Sequence, residues 1–382
     1  MNYIYKIKKF IILNLKIVNI TLSNSIKIPI LINDRIPDFI SFEYQVLHLI
    51  NKSYSVNRNF LKSYLCLSRY YKEHANIELT KLFIIERSLS KLINEFLNFI
   101  LWLKNSLKSE TNRNNFLNSI KKFLNWALLK YSNEHEQFIH IENIIHANII
   151  KSTNVQDYHQ ITQDEINNFF QASLPYSNLN PFVERNRIRN YLIFLILFET
   201  GIRSGELLNL QINDVFRDDN KFYIKIINRN KYNNDTRTIK PRIKTIYSER
   251  IIGISDNTYL LFEEYLKFHR SKNKYRESNY LFLSDRKKPL SIRSLNTIFN
   301  KASKTSKTLI TPHIVRHHFA ETMLSFLIEK KNIDMERAKD ELRVICGWSL
   351  SSNMPSYYTR KYIQRIANKS NMERINLLYE RD

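Results

Sequence analysis

Residues 309–324 read LITPHIVRHHFAETML. Thr311 stands where a helix N-cap belongs, and Pro312 fills the first helical position, where its missing N–H is no loss. His313 then lies in the first turn, with Arg316 one turn further along the same face. A helix N-terminus carrying a histidine and an arginine is an anion site in outline, because free backbone N–H groups and a guanidinium fork point the same way. His313 and His317 are also four residues apart, a spacing that two zinc ligands could use. Position 314 is Ile, however, where a zinc-protease helix carries Glu, and no third ligand is evident in the sequence.

Two further segments complete the chemistry. Upstream, TGIRSGELLNL (200–210) breaks a helix at Gly201 and then places Arg203 and Glu206 three apart at the start of the next. Downstream, GWSLSSNMPSYYTRKY (347–362) holds a tryptophan, two adjacent tyrosines and basic residues. The order is Arg with Glu, then His-x-x-Arg, then Trp, then Tyr. Transesterification at a phosphodiester needs this set when no metal takes part. Arginines hold the non-bridging oxygens, a tyrosine oxygen attacks phosphorus and stores the bond, and a general acid protonates the departing 5′ oxygen.

These three segments resemble the boxes of the tyrosine recombinase (phage integrase) family, TGxRxxEL, HxLRHxFAT and LGHxS…Y. The similarity covers about residues 160–360 by motif and extends weakly over 35–150. The resemblance implies Arg203 and Arg316 as the phosphate clamp, and His313 as the proton-transferring, phosphate-contacting residue. Glu206 falls at the acidic position that supports the first arginine, and Trp348 at the position of a His or Trp. An indole can donate an N–H and pack beneath a tyrosine, but it cannot shuttle a proton. The family's lysine lies on a β-hairpin between the first two boxes. Here PRIKTIYSERIIGI (241–254) resembles its PKTxxSxRxIPL pattern, which points to Lys244 as the general acid, with Lys225, Lys231 and Lys240 as competitors. Val315, His318, Cys346 and Gly253 depart from the family pattern without removing a catalytic group. The usual nine-residue spacing from Trp348 selects Tyr357 as nucleophile. The Tyr-Thr-basic ending selects Tyr358, because one extra residue is easily absorbed before Pro355 starts the helix. Tyr358 is the choice made here and Tyr357 the alternative.

The rest of the chain sets the frame. With 382 residues, two domains and an extension are predicted. Only 4 Gly and 8 Pro argue for long helices over a turn-rich β fold. Residues 1–34 read as a basic, β-prone arm that is poorly periodic. A small helical domain follows over 35–150, built on stripes such as Phe60, Tyr64, Leu67 and Tyr71 after a cap at Ser55, then Leu89, Leu92, Phe96, Ile100 and Leu103, then Phe116, Ile120, Phe123 and Ala127. The resemblance implies that it is the core-binding domain that clamps DNA. A polar linker spans 151–160. The catalytic domain over 161–382 opens with a Thr162–Glu165 capping box, runs through an apolar helix ending at Gly201, and has strands around the insertion NKYNNDTRTIKPRIK. The fold class is therefore mainly α, a helical domain followed by a mixed α+β catalytic domain with one small antiparallel sheet.

A net charge of +23, from 59 Lys and Arg against 36 acids, favours a polyanionic partner, nucleic acid ahead of a membrane. Abundant Ile, Lys and Asn also fit AT-rich coding, which raises charge with no binding role. Cys66 and Cys346 form no CxxC and suit a reducing compartment. No apolar run is long enough for a membrane span, and the N-terminus lacks a signal-cleavage pattern. An intracellular protein of a bacterium, plasmid or organelle is expected. The resemblance implies a site-specific DNA recombinase or integrase working through a 3′-phosphotyrosine, without metal, nucleotide or other cofactor, as a homotetramer on two double-stranded DNA sites. Its alternatives are an inactive DNA-binding descendant and a type IB topoisomerase-like enzyme. Ile366, Met372, Ile375 and Leu378 have the spacing of a C-terminal helix that docks on a neighbouring protomer or on its own domain.

Overall fold

In a computed structural model of the chain, residues 15–21, 27–87, 90–131, 135–149, 159–229, 235, 237, 240–241, 246–270 and 278–379 are described. They belong to two units, Met1–Val155 and Gln156–Asp382.

The first unit starts with a sheet. Lys16–Thr21 (β1) and Lys27–Asn33 (β2) pair antiparallel, with Ile17 opposite Leu31, and Ile36–Pro37 (β3) pairs with the other edge of β2. Of the arm expected over residues 1–34, Lys16–Thr21 and Lys27–Asn33 are strands of a sheet packed into the helical core. Leu15 and Leu31 are buried there with Tyr64 and Phe123. Pro29, Ile30 and Leu31 are buried in succession, so no period of two marks the strand in the sequence.

Helices follow: Phe39–Tyr44 (α1), Tyr54–His74 (α2), the short Leu79–Lys81 (α3), Ser90–Ser106 (α4), Glu110–Tyr131 (α5) and His135–Asn148 (α6). The cap of α2 is Ser53, whose hydroxyl accepts from the Val56 N–H at 3.3 Å, and Ser55 lies inside the first turn. Both serines suit a cap by type; the N–H that finds a partner decides. Phe60, Tyr64, Leu67 and Tyr71 on α2, Leu92, Phe96, Ile100 and Leu103 on α4, and Phe116, Ile120, Phe123 and Ala127 on α5 are all buried together. Leu89 lies outside the described residues. Tyr64 meets Phe123 edge-on at 5.1 Å, a ring geometry worth about 1 kcal/mol beyond burial.

The second unit opens with Gln163–Ser173 (α7), where Thr162 and Glu165 form the capping box. Glu184–Thr200 (α8) buries Leu192, Ile193, Phe194, Ile196 and Leu197 and ends at Gly201 with φ 57°. A Cβ there would stand 2.2 Å from the Phe319 ring, so only glycine lets the chain turn into Ser204–Asn209 (α9). Val215–Asp218 (β4), Lys221–Ile226 (β5) and Arg250–Ile254 (β6) form an antiparallel sheet in that order. The sequence hides β4, which is only four residues long. It also overstates the last strand, because Ile246–Ser248 is a 3-10 turn. Most of the polar insertion lies outside the described residues. Its Arg237 is buried, paired with Asp235 and donating to the carbonyls of Leu208 and Leu290.

The chain closes with Asp256–Glu264 (α10), Ile292–Ser306 (α11), Pro312–Glu329 (α12), Met335–Cys346 (α13) and Met354–Tyr379 (α14). A separate apolar cluster joins the last three helices through Ala320, Leu324, Leu327, Ala338, Leu342, Cys346 and Tyr358. Beyond Tyr362, α14 is largely uncovered, with Ile366, Met372 and Leu378 exposed. The architecture is mainly α with a mixed α+β second unit, as the sequence predicts; the sheet of the first unit is additional. Among the described residues, no helix is long and apolar enough to cross a membrane.

Candidate active site

Four elements bring the site together. Arg203 is the residue before α9, and its backbone N–H and guanidinium both reach Glu206, at 2.9 and 2.6 Å. The same guanidinium donates to the Gly347 carbonyl at 2.9 Å, tying α9 to the loop after α13. Glu206 is buried and takes a second cation, Arg250 of β6, at 2.9 Å. Burial alone would raise the Glu206 carboxyl, but the charges of Arg250 and Arg203 outweigh it and hold its pKa below the usual carboxylate range.

Arg250 also donates to the carbonyls of Ile345 and Ser248, at 2.7 and 2.6 Å. It packs under Gly347, which has φ 60°; a Cβ there would stand 2.5 Å from the Arg250 guanidinium. Glycine is therefore required at 347 twice over, by its backbone angle and by this contact. Sequence reasoning missed Arg250. Its signal was present: Ser248 and Arg250 occupy the S-x-R of the hairpin pattern.

Thr311 caps α12 and Pro312 opens it, as predicted. Arg316 is buried, donating to the carbonyls of Gly201 at 2.7 Å and Cys346 at 2.6 Å. Its guanidinium lies 5.5 Å from the Trp348 ring. Burial pulls its pKa down to about 10, which leaves it cationic at neutral pH. Three guanidiniums thus gather around the single carboxylate of Glu206. Two of them pair with it, and the described hydrogen bonds of Arg316 run to neutral carbonyls. The excess positive charge makes the cluster an anion site.

His313 is exposed in the first turn of α12, and its Nε2 lies 3.0 Å from Nε2 of the buried His317. Among the described residues, no third His, Cys, Asp or Glu joins them in a group able to hold a metal. The other nitrogen of His317, Nδ1, meets the Tyr358 hydroxyl at 2.5 Å. Tyr358 is 1% exposed and stacks on Trp348 with centroids 5.7 Å apart and planes 10° from parallel. Burial pushes its hydroxyl pKa well above the ordinary value. The Tyr357 ring stands 79° to that of Tyr358, with the Lys361 ammonium 5.2 Å from its centroid.

Arg203, Glu206, Arg316, His313, Trp348 and Tyr358 therefore share one cluster, with Tyr357 at its edge. Lys244 and Lys231 lie outside the described residues. Lys225 is exposed on β5 opposite Ile251, and Lys240 is exposed.

The buried His317 has a consequence for stability. Burial, then the charges of His313, Arg316 and Lys361, lower its pKa from 6.5 to about 4. Between those values the unfolded chain takes up a proton that the folded chain refuses. The second unit accordingly loses stability as pH falls from 6.5 towards 4, by about 3 kcal/mol at the limit. Urea midpoints measured across that range should fall for the wild type, and His317→Asn should flatten the acid limb.

Two arginines, a histidine and a stacked Trp–Tyr pair thus come together in the α+β unit as one positively charged cluster. The chain belongs to the phage integrase family, the tyrosine recombinases: that family's model matches residues 159–365. Among relatives, the TnP I resolvase of Bacillus thuringiensis is 26% identical over 236 residues, 61% of this chain and 71% of that protein. A tyrosine recombinase of Agathobacter rectalis is 35% identical over 147 residues, 37% of this chain but only 41% of the relative. The XerH site-specific recombinase, solved in a post-cleavage complex with a palindromic difH substrate, shares the fold with a TM-score of 0.58 at 17% identity. That match covers 88% of this chain and 95% of the other.

Proposed function

We propose that the chain is a site-specific DNA recombinase or integrase that cuts and rejoins strands through a 3′-phosphotyrosine, with neither metal nor nucleotide. The observation that carries this reading is the buried Arg316, held by carbonyls beside Arg203 and facing the ring of Trp348 on which Tyr358 stacks. Arg203 and Arg316 hold the non-bridging oxygens of the scissile phosphate and stabilise the charge that builds on them. Glu206 and Arg250 keep Arg203 in place. His313 and the Trp348 indole N–H donate to the same phosphate. Tyr358 attacks phosphorus, and Lys244 protonates the departing 5′ oxygen. The bond energy is retained in the phosphotyrosine, so no nucleotide is required.

Tyr358 is preferred to Tyr357 because it stacks on Trp348 and feels the charge of Arg316, while Tyr357 faces Lys361. The chain's charge of +23 supports double-stranded DNA as the partner, bound mainly through phosphates and hence salt-sensitively. The exposed Ile366, Met372 and Leu378 on α14 support docking on a second protomer within a tetramer on two DNA sites.

The test is a nicked suicide duplex whose half-site has been recovered from a randomised pool by binding to the chain. A detergent-resistant protein–DNA adduct is expected on a denaturing gel, at equal yield with EDTA and without nucleotide. No adduct, or an adduct that requires a divalent metal, would contradict the reading.

A further inference from the structure

The two histidines of α12 connect the buried tyrosine to the open end of the site. Tyr358 Oη lies 2.5 Å from Nδ1 of His317, and Nε2 of His317 lies 3.0 Å from Nε2 of His313. His317 is 4% exposed, so no bulk water competes for its nitrogens, whereas His313 stands exposed at the helix N-terminus. A tyrosyl hydroxyl enclosed in an apolar cluster cannot give its proton to solvent. Its described hydrogen bond runs to His317 and to no carboxylate.

Resting on the reading of Tyr358 as nucleophile, we propose that His317 is the base that accepts the tyrosyl proton and that His313 is the outlet to which it is passed. As Oη bonds to phosphorus, its proton moves to Nδ1 of His317. The proton on Nε2 of His317 moves to Nε2 of His313. The phosphorus–O5′ bond breaks with its electron pair on the 5′ oxygen, which takes a proton from the general acid, the role given to Lys244. His317 ends neutral with its tautomer reversed, and His313 ends as an imidazolium beside the phosphate. When a 5′ hydroxyl attacks the phosphotyrosine, every step runs backwards and the tyrosine recovers its proton.

The surroundings suit transit better than storage. His317 is faced by His313 and Arg316 from its own helix and by Tyr357, Tyr358 and Lys361 from α14, with Glu321 paired to Lys361 at 3.5 Å. Burial and these cations keep its pKa at about 4, so a proton is handed on and not held. The exposed His313 can keep the charge next to an anion, where it helps most.

His317→Asn tests the relay, because the amide oxygen can accept the tyrosyl hydrogen bond but cannot take the proton. With the selected suicide duplex, the rate of adduct formation at neutral pH should fall by about 100-fold or more while affinity for the duplex is kept. The rate should then climb with alkaline pH, as the tyrosinate must form unaided, in contrast to a flat wild-type profile. A variant within about threefold of wild type, with the same pH profile, would overturn the relay. Nitrogen-15 NMR of the wild-type histidines supplies a readout that does not depend on the variant folding: Nδ1 of His317 should be bare and Nε2 protonated, and the opposite tautomer would overturn the relay alone. Absence of any wild-type adduct would overturn the recombinase reading and the relay with it.

Discussion

Tyr358→Phe is expected to abolish the covalent protein–DNA adduct, while Tyr357→Phe still forms it. Phenylalanine leaves no oxygen to attack phosphorus, so the loss at 358 is complete and not graded. The two rings differ in what holds them. Tyr358 stacks on Trp348 and bonds to His317, and both neighbours lie against the arginine cluster. Tyr357 is half-buried beside Lys361. The stability effects should separate the same way. Removing the Tyr358 hydroxyl deletes its hydrogen bond to the buried Nδ1 of His317, a cost of about 1–2 kcal/mol. Tyr357→Phe should change stability by less than about 0.5 kcal/mol. Suicide-substrate cleavage and urea titration of the two variants decide the matter; adduct lost only with Tyr357→Phe would move the nucleophile by one residue.

Arg250→Met should be the most destabilising change in the site. Its guanidinium pairs with the buried Glu206 and caps the carbonyls of Ile345 and Ser248, and its side chain is 5% exposed. Methionine fills similar space but leaves a buried carboxylate with Arg203 as its remaining ion pair and two carbonyls without this donor. Breaking a buried pair from one side costs about 3–5 kcal/mol. Cleavage should fall by about 100-fold at temperatures where the variant is folded, because Arg203 is positioned through the same carboxylate and through the Gly347 loop above Arg250. Adding Glu206→Gln should recover part of the stability and none of the activity, the signature of coupled neighbours. A urea midpoint shift equivalent to less than about 1 kcal/mol would contradict this view of Arg250.

Part of the cluster that the structure brings together was legible because its residues sit at local landmarks. Arg203 follows a helix stop at Gly201, and His313 and Arg316 follow a Thr-Pro start, whereas Trp348 and Tyr358 were placed by resemblance to the family's third box. Such landmarks depend on a few adjacent residues, and a sequence displays them. Arg250 and His317 were not read in their present roles because each is defined by partners far along the chain, Ile345 and Tyr358. The spacing of His317 to His313 was visible, but it raised only a zinc pair, set aside for want of a third ligand, and could not disclose Tyr358 as a partner.

The fold divides similarly. Helical stripes on α2, α4 and α5 predicted the core residues of the first unit. The sheet of β1–β3 escaped, because a strand buried over three successive residues shows no alternation. The shift of the α2 cap from Ser55 to Ser53 was likewise beyond reach, since only the hydrogen bond to Val56 separates the two serines.

The central claim is that Tyr358 carries the DNA strand. Trypsin releases residues 344–360 as one peptide, VICGWSLSSNMPSYYTR, containing both tyrosines. Fragmentation of this peptide from a nuclease-trimmed adduct locates the attached nucleotide. A 3′-phosphonucleotide on Tyr358 is the predicted result; the same group on Tyr357, or an unmodified peptide from a chain that has cut its substrate, would contradict the account.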